Sequence, residues 1–195
     1  MRRLLAAACA CAVAFCAGVS AQASMAEDVP PPPPTTAPEP DVDIGDFLLA
    51  EIAKVRRETW RWERLMRVRL TAARRVAERS NDREHRLLIL KGWKQLAAKR
   101  RRQARRPPFK SAWLCIYRHE RHPRMGWATS TGNGFFGGLQ MDMAFQRLYG
   151  ADLFRRKGTA NRWTALEQIW VAVRAYRSGR GFYPWPNTAR YCGLI

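Results

Sequence analysis

Negative charge is the scarcest commodity in this sequence. Against 35 lysines and arginines stand only 16 aspartates and glutamates, a net charge of +19 over 195 residues. Such a balance points away from cationic partners and toward nucleic acid, anionic lipid or an anionic polymer such as a cell wall. Histidine is scarce as well, three in all. The run His119-Glu120-Arg121-His122 sets two of them at i, i+3 rather than the i, i+4 of the zinc-protease pattern. Catalytic zinc ordinarily takes three protein ligands, and no third is in view, so no metal and no other cofactor is expected. Past the N-terminus there is no apolar run long enough to cross a bilayer, which argues against a stable membrane span.

The N-terminus itself reads as a secretory signal over residues 1–23. Arg2 and Arg3 form its positive end, Leu4 to Val19 its small apolar stretch, and Ala21-Gln22-Ala23 its cleavage site. The mature chain is therefore expected outside the cell, which sets nucleic acid aside as a partner. Three of the five cysteines, Cys9, Cys11 and Cys16, leave with that signal. Cys115 and Cys192 remain, and in an oxidising compartment two cysteines most simply pair. Such a bond contributes on the order of 4 kcal/mol by limiting the unfolded chain.

Residues 24–46 read as a linker. Pro30 to Pro34 favour an extended polyproline segment, and six acids from Glu27 to Asp46 keep it solvated. Residues 47–108 form a basic helical segment. Leu48, Ile52, Val55, Trp62 and Met66 make one apolar stripe, and Leu87, Leu90, Trp93, Leu96 and Ala97 make another. Ser80-Asn81-Asp82 separates them, with Asn81 the expected cap of the second helix. A pair of antiparallel helices or a short coiled stalk fits this pattern. The dense run Lys99-Arg100-Arg101-Arg102 with Arg105-Arg106 admits two readings, a solvated face or an electrostatic hold on an anionic polymer.

Residues 109–195 read as a mainly α domain with one small β-hairpin. A helix is expected over Ala112 to Arg118, stopped by Pro123 soon after Glu120. The stretch Thr131–Gln140 reads as the hairpin, with Gly132 and Gly134 free to take positive φ. Phe145, Leu148 and Tyr149 suggest a short helix, for which Asp142 reads as the cap. Thr164-Ala-Leu-Glu167 is a capping box. It opens a helix that carries Leu166, Ile169, Trp170, Val173 and Tyr176 on one face and ends at Gly179.

The motif Trp127-Ala-Thr-Ser-Thr-Gly-Asn-Gly-Phe-Phe-Gly-Gly-Leu-Gln140, preceded by Glu120, resembles the actinobacterial transglycosylase-like domain of resuscitation-promoting factors. The likeness covers about residues 110–195 and implies a lysozyme-like fold. It implies cleavage of the β-1,4 bond between N-acetylmuramic acid and N-acetylglucosamine in peptidoglycan, with Glu120 as general acid and then base. Cleaving a glycosidic bond needs a proton for the leaving oxygen and stabilisation of an oxocarbenium-like sugar. With one acid, the muramic 6-hydroxyl attacks the anomeric carbon and leaves a 1,6-anhydro end. Trp127, Phe135 and Phe136 read either as sugar-stacking rings or as core, the phenylalanines rather as core. Thr131 and Gln140 are polar groups placed to hydrogen-bond a glycan. This chain differs from the family in having Phe135 and Phe136 where tyrosines are common, and a turn two residues longer between Glu120 and Trp127. Its first cysteine stands one helical turn earlier, at Cys115, and the second is shifted by four residues to Cys192. The rival reading is a non-catalytic wall-binding or signalling protein that keeps the fold.

Overall fold

The computed structural model describes residues 44–73 and 80–195. The signal reading of residues 1–23 and most of the linker lie outside these residues. The chain is mainly helical with one small antiparallel sheet. The first helix, α1 (Ile44–Met66), starts three residues before Phe47, and the second is α2 (Arg83–Ala104). Asp82, not Asn81, caps α2, its carboxylate accepting from the Glu84 amide at 2.9 Å. Asn81 instead accepts from the Arg86 guanidinium. Two adjacent Asx residues offer the same cap chemistry, and the backbone angle at the helix boundary decides between them.

The two helices run parallel. Leu48 and Ile52 cluster with Leu90 and Trp93 at one end, Glu63 meets Arg100 further along, and Met66 and Ala104 both enter the main core. An antiparallel pair with Glu63 opposite Arg100 would put Ile52 beyond the end of α2. The connection is long enough to permit this course. A 23-residue helix is about 35 Å long, and roughly a dozen extended residues suffice to return that distance. The segment between Met66 and Arg83 is longer than that. Its first part is fixed on α1 at Thr71. Glu63, fully buried, accepts from the Thr71 amide at 2.9 Å, from its hydroxyl at 2.6 Å and from Arg100 Nε at 3.0 Å. Leu87, expected on the inner stripe, is exposed, and Arg86 takes the buried place at the start of α2.

After Pro107 and Pro108 come α3 (Lys110–Glu120), β1 (Phe135–Phe136), β2 (Met141–Asp142), α4 (Met143–Tyr149) and α5 (Ala151–Lys157). Then follow α6 (Ala165–Ala175), a wide turn at Tyr176–Arg180 and α7 (Pro186–Tyr191). Helix α6 forms the centre because it is apolar nearly all round: the five consecutive residues Ile169, Trp170, Val171, Ala172 and Val173 are all buried. Around it pack Trp113 and Ile116 of α3, Leu139, Met141, Phe145 and Trp185. The capping box at its start is complete, Thr164 Oγ1 accepting from the Glu167 amide while Glu167 accepts from the Thr164 amide.

Helix α6 also holds the ends of three other helices. Trp170 Nε1 donates to Ala104 O, one of the last carbonyls of α2, at 2.8 Å. One turn on, Arg174 donates to Leu65 O of α1 at 2.7 Å and to Tyr149 O of α4 at 2.9 Å. These carbonyls have no partner within their own helices, and a cation there also complements the helix dipole. No helix among the described residues is long and apolar enough to cross a membrane.

Candidate active site

Glu120 is the last residue of α3. Arg121 leaves the helix in extended conformation, and Pro123 prevents its continuation. The Glu120 carboxylate is half-buried, and its Oε1 accepts a short hydrogen bond from the Thr188 hydroxyl on α7. The Cys115–Cys192 disulfide joins the same two helices, with Cα atoms 6.1 Å apart. Cys192 and Thr188 are one turn apart, and the Cys192 amide donates to Thr188 O at 2.9 Å. Disulfide and hydrogen bond are thus two rungs between α3 and α7. The first fixes the helices, and the second fixes a carboxyl that would otherwise rotate freely.

The basic residues flanking Glu120 are engaged elsewhere. Arg118 Nε donates to Leu114 O, and the His119 ring lies 4.2 Å from that of Tyr191. Arg121 covers the Tyr117 ring at 5.3 Å and donates to Pro123 O. None forms an ion pair with Glu120 among the described residues. His119 also lies beside Cys115 and Cys192, but both sulfurs are consumed by the disulfide, so the trio is not a metal-ligand set.

Trp127 sits in a short 3₁₀ turn, Gly126–Ala128, and stacks face to face on Tyr117 with ring centres 4.0 Å apart. One of its faces is therefore taken by protein. Gly138 passes so close to both rings that a Cβ there would lie 2.6 Å from Tyr117 and 2.9 Å from Trp127. Thr129, buried, ties the loop together: its hydroxyl donates to Gly126 O and accepts from the His122 amide, and its carbonyl accepts from Gly137.

The stretch Thr131–Gln140 turns twice: an antiparallel bridge between Ser130 and Phe136 closes the loop of glycines, and a second turn joins the two strands. Phe135 pairs with Asp142 and Phe136 with Met141, so that second turn is Gly137–Gln140 and the return strand follows it. Gly132 and Gly134 do take positive φ, of 80° and 83°, ahead of the strands. Leu139 anchors the turn in the core, where its carbonyl accepts from Trp185 Nε1 at 2.6 Å. The two phenylalanines separate: Phe136 packs against the core and Phe135 is exposed. Thr131 is exposed and Gln140 half-buried, its Nε2 donating back to Gly137 O at 2.8 Å. Asp142 caps α4, accepting from the Phe145 amide at 2.6 Å.

Three supporting residues escaped the sequence reading as members of this site. Tyr117 was expected as partly buried, not as the partner of Trp127. Thr188 is separated from Glu120 by 68 residues, beyond any local pattern. Gln168 is fully buried, with Nε2 facing the carbonyls of Trp127, Ala160 and Trp163 at 2.8–3.0 Å. It holds the Trp127 loop on α6. A cavity of about 730 Å³ lies elsewhere, and none of its walls comes from α3, the hairpin or α7. In comparisons with known proteins, no family model, no curated protein and no solved structure matches this chain.

Proposed function

We propose that the chain is a secreted peptidoglycan-cleaving enzyme with a lysozyme-like catalytic domain, related to the transglycosylase-like domain of resuscitation-promoting factors. The observation that carries this reading is the state of Glu120: a half-buried carboxyl at a helix end, held on one oxygen by Thr188 and paired with no cation among the described residues. The Thr188 hydroxyl occupies Oε1, which leaves Oε2 to carry the proton. In the reaction, Glu120 protonates the glycosidic oxygen as the bond from the muramic C1 breaks. The muramic 6-hydroxyl then closes on C1, and its proton passes to the Glu120 carboxylate. The commitment of Asp142 to the α4 cap favours this one-carboxyl route over one that needs a second acid. The basic helices serve to hold the enzyme on anionic wall polymers.

Mass spectrometry of purified peptidoglycan after digestion tests the proposal. Fragments ending in 1,6-anhydro sugar are expected from the oxidised wild type and not from Glu120→Gln. Thr188→Val should retain folding and lower kcat by about tenfold, the value of one hydrogen bond to a charged group. Reducing ends would mean that water attacks C1. No fragments at all from folded protein would leave a wall-binding protein as the better reading.

A further inference from the structure

The cavity of about 730 Å³ is bounded by the end of α1, by α5 and by the first turn of α6, with Arg174 further along that helix. Its walls carry six cationic side chains, Arg61, Arg64, Arg155, Arg156, Lys157 and Arg174, against two acids, Asp152 and Glu167. Both acids are already matched, Asp152 by Arg155 at 2.7 Å and Glu167 by Lys157 at 2.7 Å. Arg61, Arg64, Arg156 and Arg174 have no carboxylate partner among the described residues. Three helices therefore converge on one concavity four guanidinium groups that form no ion pair among the described residues.

Arg174 makes the imbalance costly. Its Nη atoms serve helix carbonyls, and its Nε is buried without a hydrogen-bond partner. Burial, with Arg67 nearby, pushes this guanidinium down to about 10 although Asp152 works the other way, and Asp152 already has an ion-pair partner in Arg155. Trp62, Leu65, Leu153 and Leu166 give the cavity an apolar floor. Its volume falls within the roughly 300–1,000 Å³ of pockets that enclose small ligands.

We propose that this cavity binds an anionic glycan, a sugar chain bearing carboxylate or phosphate groups. Arginine suits both groups because its planar fork meets two of their oxygens at once. A concave site with an apolar floor accepts a single sugar unit with its acid group, whereas a nucleic-acid duplex needs an open cationic face. The disulfide fits an oxidising compartment, where wall and surface glycans are the abundant polyanions. The site stands apart from Glu120 and does not depend on any reaction there.

Calorimetric titration of the oxidised protein tests this with four probes: oligogalacturonate, a phosphodiester-linked sugar oligomer, neutral chito-oligosaccharide and a single-stranded oligodeoxynucleotide. One or both anionic glycans should bind, and the neutral one should not enter this site; which of the two binds identifies the acid group. Arg64→Glu/Arg156→Glu, both exposed in the wild type, should weaken that binding about tenfold or more, whereas Lys91→Glu/Lys94→Glu on α2 should change it less than about twofold. The milder Arg64→Gln/Arg156→Gln pair repeats the measurement should charge reversal disturb folding. Equal weakening by both charge-reversed pairs would reduce the effect to overall charge and overturn the site. Preference for the oligonucleotide, or no glycan binding, would overturn it as well.

Discussion

Three glycines within five residues should respond to alanine in three different ways. Gly134 has φ 83° and nothing within 4 Å of a built Cβ. Its substitution costs only backbone strain, about 1–2 kcal/mol, less the roughly 0.5–1 kcal/mol that alanine gains by restricting the unfolded chain. Gly138 lies outside the positive-φ set, but its Cβ would stand 2.6 Å from the Tyr117 ring. That ring is held between Trp127 and Arg121 and cannot move aside, so overpacking of about 1–3 kcal/mol is expected. Gly137 suffers both effects. It has φ 79°, and its Cβ would lie 2.5 Å from Gln168 Oε1 on a side chain fixed by three carbonyls. The sum is about 2–5 kcal/mol before the same unfolded-chain gain is subtracted. Urea unfolding of the three oxidised variants gives the order directly, Gly134→Ala mildest and Gly137→Ala worst. Near-ultraviolet circular dichroism should change for Gly138→Ala and not for Gly134→Ala, because only the former separates the Tyr117–Trp127 stack. Equal costs at Gly134 and Gly137, or a neutral Gly138→Ala, would refute the close packing of this turn.

Further tests address the supports of the fold. Cys115→Ser/Cys192→Ser should lose about 4 kcal/mol on the loop-entropy argument for a bond spanning 77 residues, read from the urea midpoint and reproduced by reducing the wild type. Glu63→Gln should cost about 3 kcal/mol, the low end for a broken buried pair, since Arg100 keeps some contact with water; thermal unfolding measures it. At Glu167 burial raises the carboxyl's proton affinity, but hydrogen bonds from Lys157 and Thr164 outweigh it and hold the group below its ordinary 4.5. A lowered folded value stabilises above the unfolded one and is lost as pH falls through the folded one. Unfolding midpoints recorded from about pH 5 to pH 3 should therefore fall less steeply in Lys157→Met than in the wild type.

The features legible in the sequence are those decided by neighbours along the chain. The Thr164 capping box, the Asp142 cap and the end of α3 near Pro123 each depend on residues within a turn or two. The cysteine pairing was legible for another reason, that elimination left two. What stayed hidden depends on distance. The parallel course of α1 and α2 is permitted by a long connection whose pattern announces no direction. The buried carboxylate of Glu63 and the buried amide nitrogen of Gln168 look like surface groups until their partners, Arg100 and three carbonyls, are brought in from elsewhere. At the hairpin the glycine loop closed by the Ser130–Phe136 bridge was legible, whereas the second turn, Gly137–Gln140, falls where Leu139 can enter the core.

The grip of Trp170 and Arg174 on the ends of α1 and α2 changes what a protease would accomplish here. Arg105 and Arg106 are exposed between α2 and α3, and the bond between them is an inviting tryptic site. Cleavage there would sever the covalent link between the basic helices and the rest, yet leave intact the bonds to Ala104 and Leu65 and the core shared by Met66 and Ala104. The disulfide lies wholly in the second fragment. A nicked chain would thus show two bands under denaturing conditions while eluting as one particle, and the two pieces, made separately, would be candidates for reassembly by fragment complementation.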